Sequence, residues 1–169
     1  GGFTLNAGTV VIRGSNALGS GGVLTINGGT IGASATRDMS GRYSNIVVGG
    51  DFTIGSSTSP SVGTSNLTFS NTMALGTSTS RIITIGGTGT YTLGGVISGS
   101  SSNLTVASTA AGTIVLRGAN TYNGTTTVSG GTLRLNRTGG TTLPTGNSVV
   151  VNSGGTLTIS TAQQLANVT

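Results

Sequence analysis

The sequence lacks cysteine, histidine, lysine, glutamate and tryptophan, and only 5% of its 169 residues are charged. Without these residue types the chain cannot build serine triads, cysteine–histidine pairs, Schiff-base lysines or zinc sites by itself. It also has no disulfide to hold the fold, so a hydrophobic core must do so. The carboxylates of Asp38 and Asp51 are therefore the only acid–base candidates.

These two carboxylates could in principle flank a glycosidic bond. However, Asp51 lies in the turn-like stretch VGGDF, where Asp commonly caps its own backbone, and Asp38 lies beside Arg37. The glycine-rich stretch GGTGTYT lacks the aspartate of calcium-binding repeats, and a phosphate loop needs a lysine. We predict no catalytic, cofactor-binding or metal-binding residue, no cofactor and no enzymatic activity.

The net charge is +5 and the isoelectric point is near 11.3, values that often indicate a nucleic-acid partner. A groove that follows phosphates needs clustered cations with aromatic stacking platforms, but the arginines are scattered along the chain and aromatic residues make up 4%. We expect no nucleic-acid partner. No apolar run approaches the roughly 18 residues of a membrane helix, so we also expect no membrane insertion by this segment.

The residues that are abundant favour strands and tight turns. The chain contains 32 glycines and is 34% hydrophobic, and most of the remainder is Thr, Ser, Asn, Val, Leu and Ile. β-Branched side chains suit a pleated surface, whereas Gly and Asn suit its turns. This composition predicts an all-β fold with a core of useful size.

Glycine turns recur at a regular spacing. The stretches NAGTV, NGGTI and VGGDF place Gly8, Gly29 and Gly50 at intervals of 21 residues, and similar turns follow later at less even spacing. In addition, AGTVVIRGSN (7–16) returns as AGTIVLRGAN (111–120), identical at seven of ten positions. A period near 20 is typical of stacked repeats and is too short for a pair of helices.

Between the turns, apolar and polar residues alternate, as in VLTIN, NLTFS, IITIG, TLRLN and TLTIS. Alternation predicts strands with one face inward. The connecting segments are mostly too long for two-residue hairpins, so separate antiparallel hairpins are disfavoured. We predict a right-handed parallel β-helix (β-solenoid) of roughly eight coils, with aliphatic columns inside and ladders of Asn or Thr at the corners. Residues 1–169 would form one segment of a longer repeat protein.

Three places interrupt the pattern. Residues 34–45, SATRDMSGRYSN, carry three of the nine charges and lose the alternation, so we predict a protruding loop. Pro60 and Pro144 lie in polar stretches, where we expect turns or outward loops. The C-terminal STAQQLANVT is compatible with a short capping helix and equally with the start of another coil.

The stretch AGTIVLRGANTYNGTTTVSGGTLRLN (111–136) resembles the autotransporter-associated β-strand repeat. Its corner GANTY (118–122), the strand TTV (126–128) and the strand GTL (131–133) match the repeat, while Asn123 and Gly124 replace the usual double glycine. The resemblance implies a passenger region of a large bacterial protein that is secreted or attached to the outer membrane, folded as a parallel β-helix projecting from the cell.

This resemblance implies no particular activity, because such passengers serve as stalks, adhesins or scaffolds. Our first hypothesis is a structural or adhesive extracellular module, a rigid passenger stalk of a bacterial surface protein. The alternative is a self-assembling subunit of an extracellular filament or sheath, because a solenoid ends in unpaired strand edges. Expected partners are copies of the chain itself at its open ends, or glycans or proteins of a host or cell surface.

Overall fold

A computed structural model describes residues 1–14, 16–56 and 64–169. Within these ranges the chain contains strands and turns but no helix, and hence no helix that could span a membrane. The strands are β1 (Phe3–Leu5), β2 (Thr9–Ile12), β3 (Val23–Ile26), β4 (Thr30–Ala33), β5 (Arg37–Asp38), β6 (Asn45–Val48), β7 (Phe52–Ile54), β8 (Leu67–Phe69), β9 (Met73–Ala74), β10 (Ser80–Ile85), β11 (Thr90–Leu93), β12 (Ile97–Ser98), β13 (Asn103–Ser108), β14 (Thr113–Leu116), β15 (Thr126–Val128), β16 (Gly131–Leu135), β17 (Ser148–Val151), β18 (Gly155–Ile159) and β19 (Asn167–Val168).

The strands form three sheets, and within each sheet all strands are parallel. The five-stranded sheet has the order β1-β3-β6-β9-β12, the eight-stranded sheet β19-β17-β15-β13-β10-β7-β4-β2, and the six-stranded sheet β18-β16-β14-β11-β8-β5. Together they make a β-solenoid of about seven turns, where the sequence predicted roughly eight coils. At a strand spacing of roughly 4.8 Å, seven turns extend about 34 Å.

Successive coils differ in length although their strands stay in register. Ile114 pairs with Leu133, 19 residues later, whereas Thr53 pairs with Thr84, 31 residues later. The longer of these two intervals encloses residues 57–63, which lie outside the described ranges together with the turn or outward loop predicted at Pro60. Turn length therefore varies from coil to coil, while the parallel ladders hold the stack together.

Inward side chains stack into columns, as the alternation predicted. In one column of the six-stranded sheet, Leu67, Tyr91, Ile114 and Leu133 are fully enclosed and occupy the same register position. Ile159, also predicted to point inward, is 49% exposed. Its strand, β18, is the last in its sheet, so no further described coil covers it.

Residues 34–45, predicted to protrude, lie instead against the body of the solenoid. β5 falls within this segment and pairs with β8, and the side chains of Met39 and Tyr43 are buried. The Tyr43 hydroxyl donates to the carbonyl of Leu18, 3.3 Å away. Alternation is lost because only the two residues of β5 pair with a neighbouring strand. A turn follows, and the apolar side chains that reach the core, Met39 and Tyr43, are four residues apart.

Three other predictions fall within the described ranges. Pro144 lies in a turn whose carbonyl oxygen accepts a hydrogen bond from the Asn147 amide at 3.0 Å, as the polar stretch around it predicted. The C-terminal stretch is the start of another coil and forms no helix, because β19 pairs with β17. Of the predicted corner ladders of Asn or Thr, the corner at Asn6 and Asn27 shows a single rung, in which the side-chain amide of Asn27 donates to Asn6 Oδ1 at 2.8 Å.

The two copies of the duplicated stretch lie on different sheets. Its first copy contains β2, in the eight-stranded sheet, whereas its second copy contains β14, in the six-stranded sheet. In both copies the arginine that follows the strand, Arg13 or Arg117, is exposed. A strand with alternating side chains can pack on either wall, so local similarity does not mark the same position within a coil.

Candidate functional site

The corner at residues 118–122 requires close approach between coils. A Cβ atom at Gly118 would collide with the backbone oxygen of Gly95 in the preceding coil. Gly131, at the start of β16, has a φ of 66°, a left-handed conformation that favours glycine. One glycine is therefore required by space and the other by backbone conformation.

Side-chain amides replace backbone groups beyond the last strand of the five-stranded sheet. The Oδ1 of Asn120 accepts a hydrogen bond from the Ile97 backbone amide at 2.8 Å. The backbone amide of Asn120 donates to the Thr142 carbonyl at 3.0 Å. In the following coil, the Oε1 of Gln163 accepts from the amides of Thr142 and Leu143 at 2.9 and 3.0 Å. These bonds continue the wall that β12 ends. The Nδ2 of Asn120 is buried without a hydrogen-bond partner.

A chain of buried hydrogen bonds links this corner to the next coil. The Tyr122 hydroxyl lies 2.8 Å from Thr126 Oγ1, which donates to Asn147 Oδ1 at 2.9 Å, and Asn147 Nδ2 donates to the Gly124 carbonyl at 2.6 Å. Because Thr126 has one hydroxyl proton and gives it to Asn147, the Tyr122 hydroxyl must be the donor to Thr126. Each polar side-chain group in this series of hydrogen bonds, from Tyr122 through Thr126 to Asn147, therefore has a partner.

Burial also controls the ionisation of the enclosed tyrosines. It raises the pKa of Tyr122 well above the ordinary value for a phenol, because the charged form would have no water around it. Burial raises the pKa of Tyr43 and Tyr91 as well. Tyr122 therefore remains a protonated donor across the physiological pH range.

The two carboxylates considered for acid–base chemistry lie on different sheets. Asp38 is on the six-stranded sheet, where hydrogen bonds from Ser40 hold the pKa of its carboxyl below the usual range; the Ser40 amide is 2.8 Å from Oδ1. Asp51 precedes β7 in the eight-stranded sheet, and its Oδ1 accepts a hydrogen bond from the Ile82 amide at 2.8 Å. Each carboxylate caps backbone in its own place, and the fold does not bring the two together. Among the described residues, no three acidic, histidine or cysteine side chains are grouped as metal ligands.

An open groove of about 530 Å³ lies where the eight-stranded sheet turns into the six-stranded sheet, beside β13, β16 and β18. Its hydroxyl-bearing lining residues are Ser108, Thr109, Ser129, Thr132 and Thr156, and the others are glycine or alanine. Its volume is within the range of small-molecule sites, but those are lined mainly by apolar and aromatic side chains. We name this feature the hydroxyl groove.

The outer face of the six-stranded sheet brings together two arginines that are far apart in sequence. Arg134 on β16 pairs with Val115 on β14, and Arg117 follows β14 by one residue, so the two arginines are diagonal neighbours on adjacent strands, with their Cα atoms roughly 8 Å apart. Both are exposed, and Arg134 Nε donates to the Ser160 hydroxyl at 2.9 Å. We name them the arginine pair. The sequence showed only scattered arginines, because the pairing depends on coil register.

Comparison with known families identifies the segment that holds the corner, the buried hydrogen bonds and part of the groove. Residues 111–135 match the family described as Passenger-associated-transport-repeat. The match supports the family predicted from the sequence, the repeat of autotransporter passengers. No curated protein and no solved structure matches the chain.

The passenger repeat, residues 111–135, is slightly longer than one coil, since it contains both Ile114 and its register partner Leu133. Together with the solenoid fold, it fits a structural module of an autotransporter passenger. Sequence reasoning missed Asn147, which accepts a hydrogen bond from Thr126 of the repeat, and Gln163, which accepts one from the Thr142 backbone amide in the coil after the repeat. Both lie 21 residues after a partner, so the coil period was the signal that could have found them.

Proposed function

We propose that this chain is a rigid stalk in the passenger of a bacterial surface protein, secreted or displayed outside the outer membrane, with a structural or adhesive role and no catalytic role of its own. The observation that carries the proposal is the unbroken parallel stack, into which the passenger repeat fits as one coil among similar ones. A parallel stack sets a distance, because each added coil lengthens it by one strand spacing.

Several contacts between coils support stiffness. Backbone ladders join each described strand to its neighbours, and the buried bonds from Tyr122 through Thr126 to Asn147 link adjacent coils inside the wall. Aliphatic columns such as Ile114 over Leu133 add packing along the axis. Bending such a rod would open hydrogen bonds and separate buried side chains at the same time.

Surface display tests the stalk. The chain is placed between an N-terminal epitope tag and a bacterial surface anchor, and antibody binding to intact cells is measured. We expect an accessible tag, and we expect Ile114→Asp to reduce display because it buries an unpaired charge. The matched control Thr92→Asp changes an outward residue of the neighbouring strand and should display normally. A tag inaccessible in the parent chain, or equal display of both variants, would contradict the proposal.

Self-assembly is the second candidate, because two apolar side chains are exposed on strands whose outer edges pair with no described strand. Ile159 and Val168 are 49% and 51% exposed on β18 and β19, and each of these strands pairs along one edge only with the other described strands. Within the part of the chain that the structure describes, β1 and β2 also pair along one edge only, and Phe3 and Val10 are half-buried. Parallel strands at both ends allow one copy to stack on another.

Light scattering over a range of concentrations, with electron microscopy, separates the two candidates. Long uniform fibres that disappear in Val168→Lys would support assembly and count against a passive stalk. A monomer whose mass is independent of concentration would exclude end-to-end assembly of this chain.

A further inference from the structure

Positive charge is unopposed on the coils that carry the passenger repeat. Both acidic residues of the chain come before residue 52, and the four arginines after it include the exposed arginine pair. Asp38 shares an outward register row with Arg134 but lies four strands away, roughly 19 Å at the ordinary strand spacing. This separation exceeds the Debye length at physiological salt, about 8 Å, so the carboxylate does little to neutralise the pair.

The arginine pair and the hydroxyl groove form one continuous surface. Thr132 and Thr156 line the groove and stand in register on β16 and β18, facing outward. Arg134 follows Thr132 by two residues on the same face of β16, roughly 6.8 Å further along the strand. A ligand that extends out of the groove therefore meets hydroxyl groups first and guanidinium groups next.

The chemistry of this surface selects its ligand. Guanidinium groups pair with carboxylates through two parallel hydrogen bonds, and threonine hydroxyls exchange hydrogen bonds with sugar hydroxyls. The groove contributes no aromatic platform, so it does not suit nucleobases or apolar small molecules. Two arginines on adjacent strands, offset by two residues along the strand direction, also suit a polymer whose charged groups repeat.

We propose that the hydroxyl groove and the arginine pair bind an acidic polysaccharide whose sugars carry carboxylate groups. The saccharide lies across β18, β16 and the end of β14, its hydroxyls meet Thr132 and Thr156, and its carboxylates meet Arg134 and Arg117. This inference rests on the proposed extracellular stalk in one respect only, the location of the surface outside the cell. The binding itself is a property of the chain.

Fluorescence polarisation with labelled oligogalacturonate, in which each sugar carries a carboxylate, measures this binding. We expect an affinity that falls as salt rises, and a loss of about threefold to tenfold in Arg134→Gln and in Arg117→Gln. Thr132→Val, which keeps the shape and removes the hydroxyl, should also weaken binding. The controls are Arg13→Gln, an exposed arginine in the matching copy of the duplicated stretch, and Thr25→Val on the five-stranded sheet; both should bind as the parent chain does.

Four outcomes would overturn the proposal. Neutral dextran bound as well as oligogalacturonate would remove the role of charge, and single-stranded DNA bound more tightly would indicate a nucleic-acid surface. Absence of binding, or equal weakening by Arg13→Gln, would exclude a site at the arginine pair. As a control, circular dichroism melts test whether each variant is folded. None of these outcomes affects the tag accessibility that tests the stalk, so the two proposals fail separately.

Discussion

The Tyr122 hydroxyl donates a hydrogen bond to Thr126 Oγ1 over 2.8 Å, and both side chains are fully buried. Thr126 Oγ1 in turn donates a hydrogen bond to Asn147 Oδ1 in the next coil. The passenger repeat thus stabilises a junction between coils with polar groups, where most of the core uses aliphatic side chains. A buried polar chain of this kind tolerates only one alignment of the two coils, because a shifted coil would leave its donors and acceptors unpaired.

Replacing Thr126 by Val should lower the free energy of unfolding by about 2–3 kcal/mol. The change keeps the shape of the side chain but leaves the Tyr122 hydroxyl and Asn147 Oδ1 without their shared partner. Thr127→Val, on the outward side of the same strand, should change it by less than about 0.5 kcal/mol. Urea titrations of both variants measure the difference, and equal effects would show that the buried hydroxyl contributes nothing specific.

Stability should fall in alkaline solution, and Tyr122 should account for part of that fall. Burial raises the pKa of Tyr122 in the folded chain above the unfolded value of about 10. Its contribution is therefore complete below pH 10 and decreases above it, by about 1.4 kcal/mol per pH unit, because only the unfolded chain releases the proton. Tyr122→Phe should flatten the dependence of the urea midpoint on pH above 10. The remaining slope comes in part from Tyr43 and Tyr91, whose pKa values burial also raises. An unchanged profile would show that Tyr122 is not enclosed.

Leu133→Ala should cost about 3 kcal/mol, and Leu157→Ala clearly less. The two leucines are register partners in one column, but Leu133 is fully buried between two coils, whereas Leu157 is half-buried in the last strand of its sheet. A cavity forms only where neighbours surround the deleted atoms on all sides. Thermal melts compare the two variants. A larger loss of stability in Leu157→Ala than in Leu133→Ala would contradict the packing of Leu133 between two coils.

Deleting residues 91–113 should remove one coil and leave the rest folded. The deletion joins Thr90 to Ile114, the register partner of Tyr91, so every strand above it moves down by one spacing and meets an equivalent strand. We expect a cooperative melt and a rod shorter by about 4.8 Å in small-angle X-ray scattering. Deleting residues 91–102 offers no such register and should abolish cooperative unfolding. If both deletions behave alike, the coils are not interchangeable units.

The sequence by itself determined that the chain is a parallel β-solenoid. The period near 21 and the alternation in stretches such as VLTIN and TLRLN are local properties, and a strand with alternating side chains buries the same residues on whichever wall it lies. The resemblance of residues 111–136 to a passenger repeat was equally readable, because it depends on contiguous residues.

Only the tertiary structure decided which residues meet across coils. It placed the two copies of the duplicated stretch on different sheets, packed residues 34–45 against the solenoid body, and brought Arg117 beside Arg134. The physical reason is that hydrogen bonds between coils set the register, while the chain between register partners varies from 19 to 31 residues. With turns of such unequal length, the distance between two residues along the chain does not show whether they are neighbours on the surface.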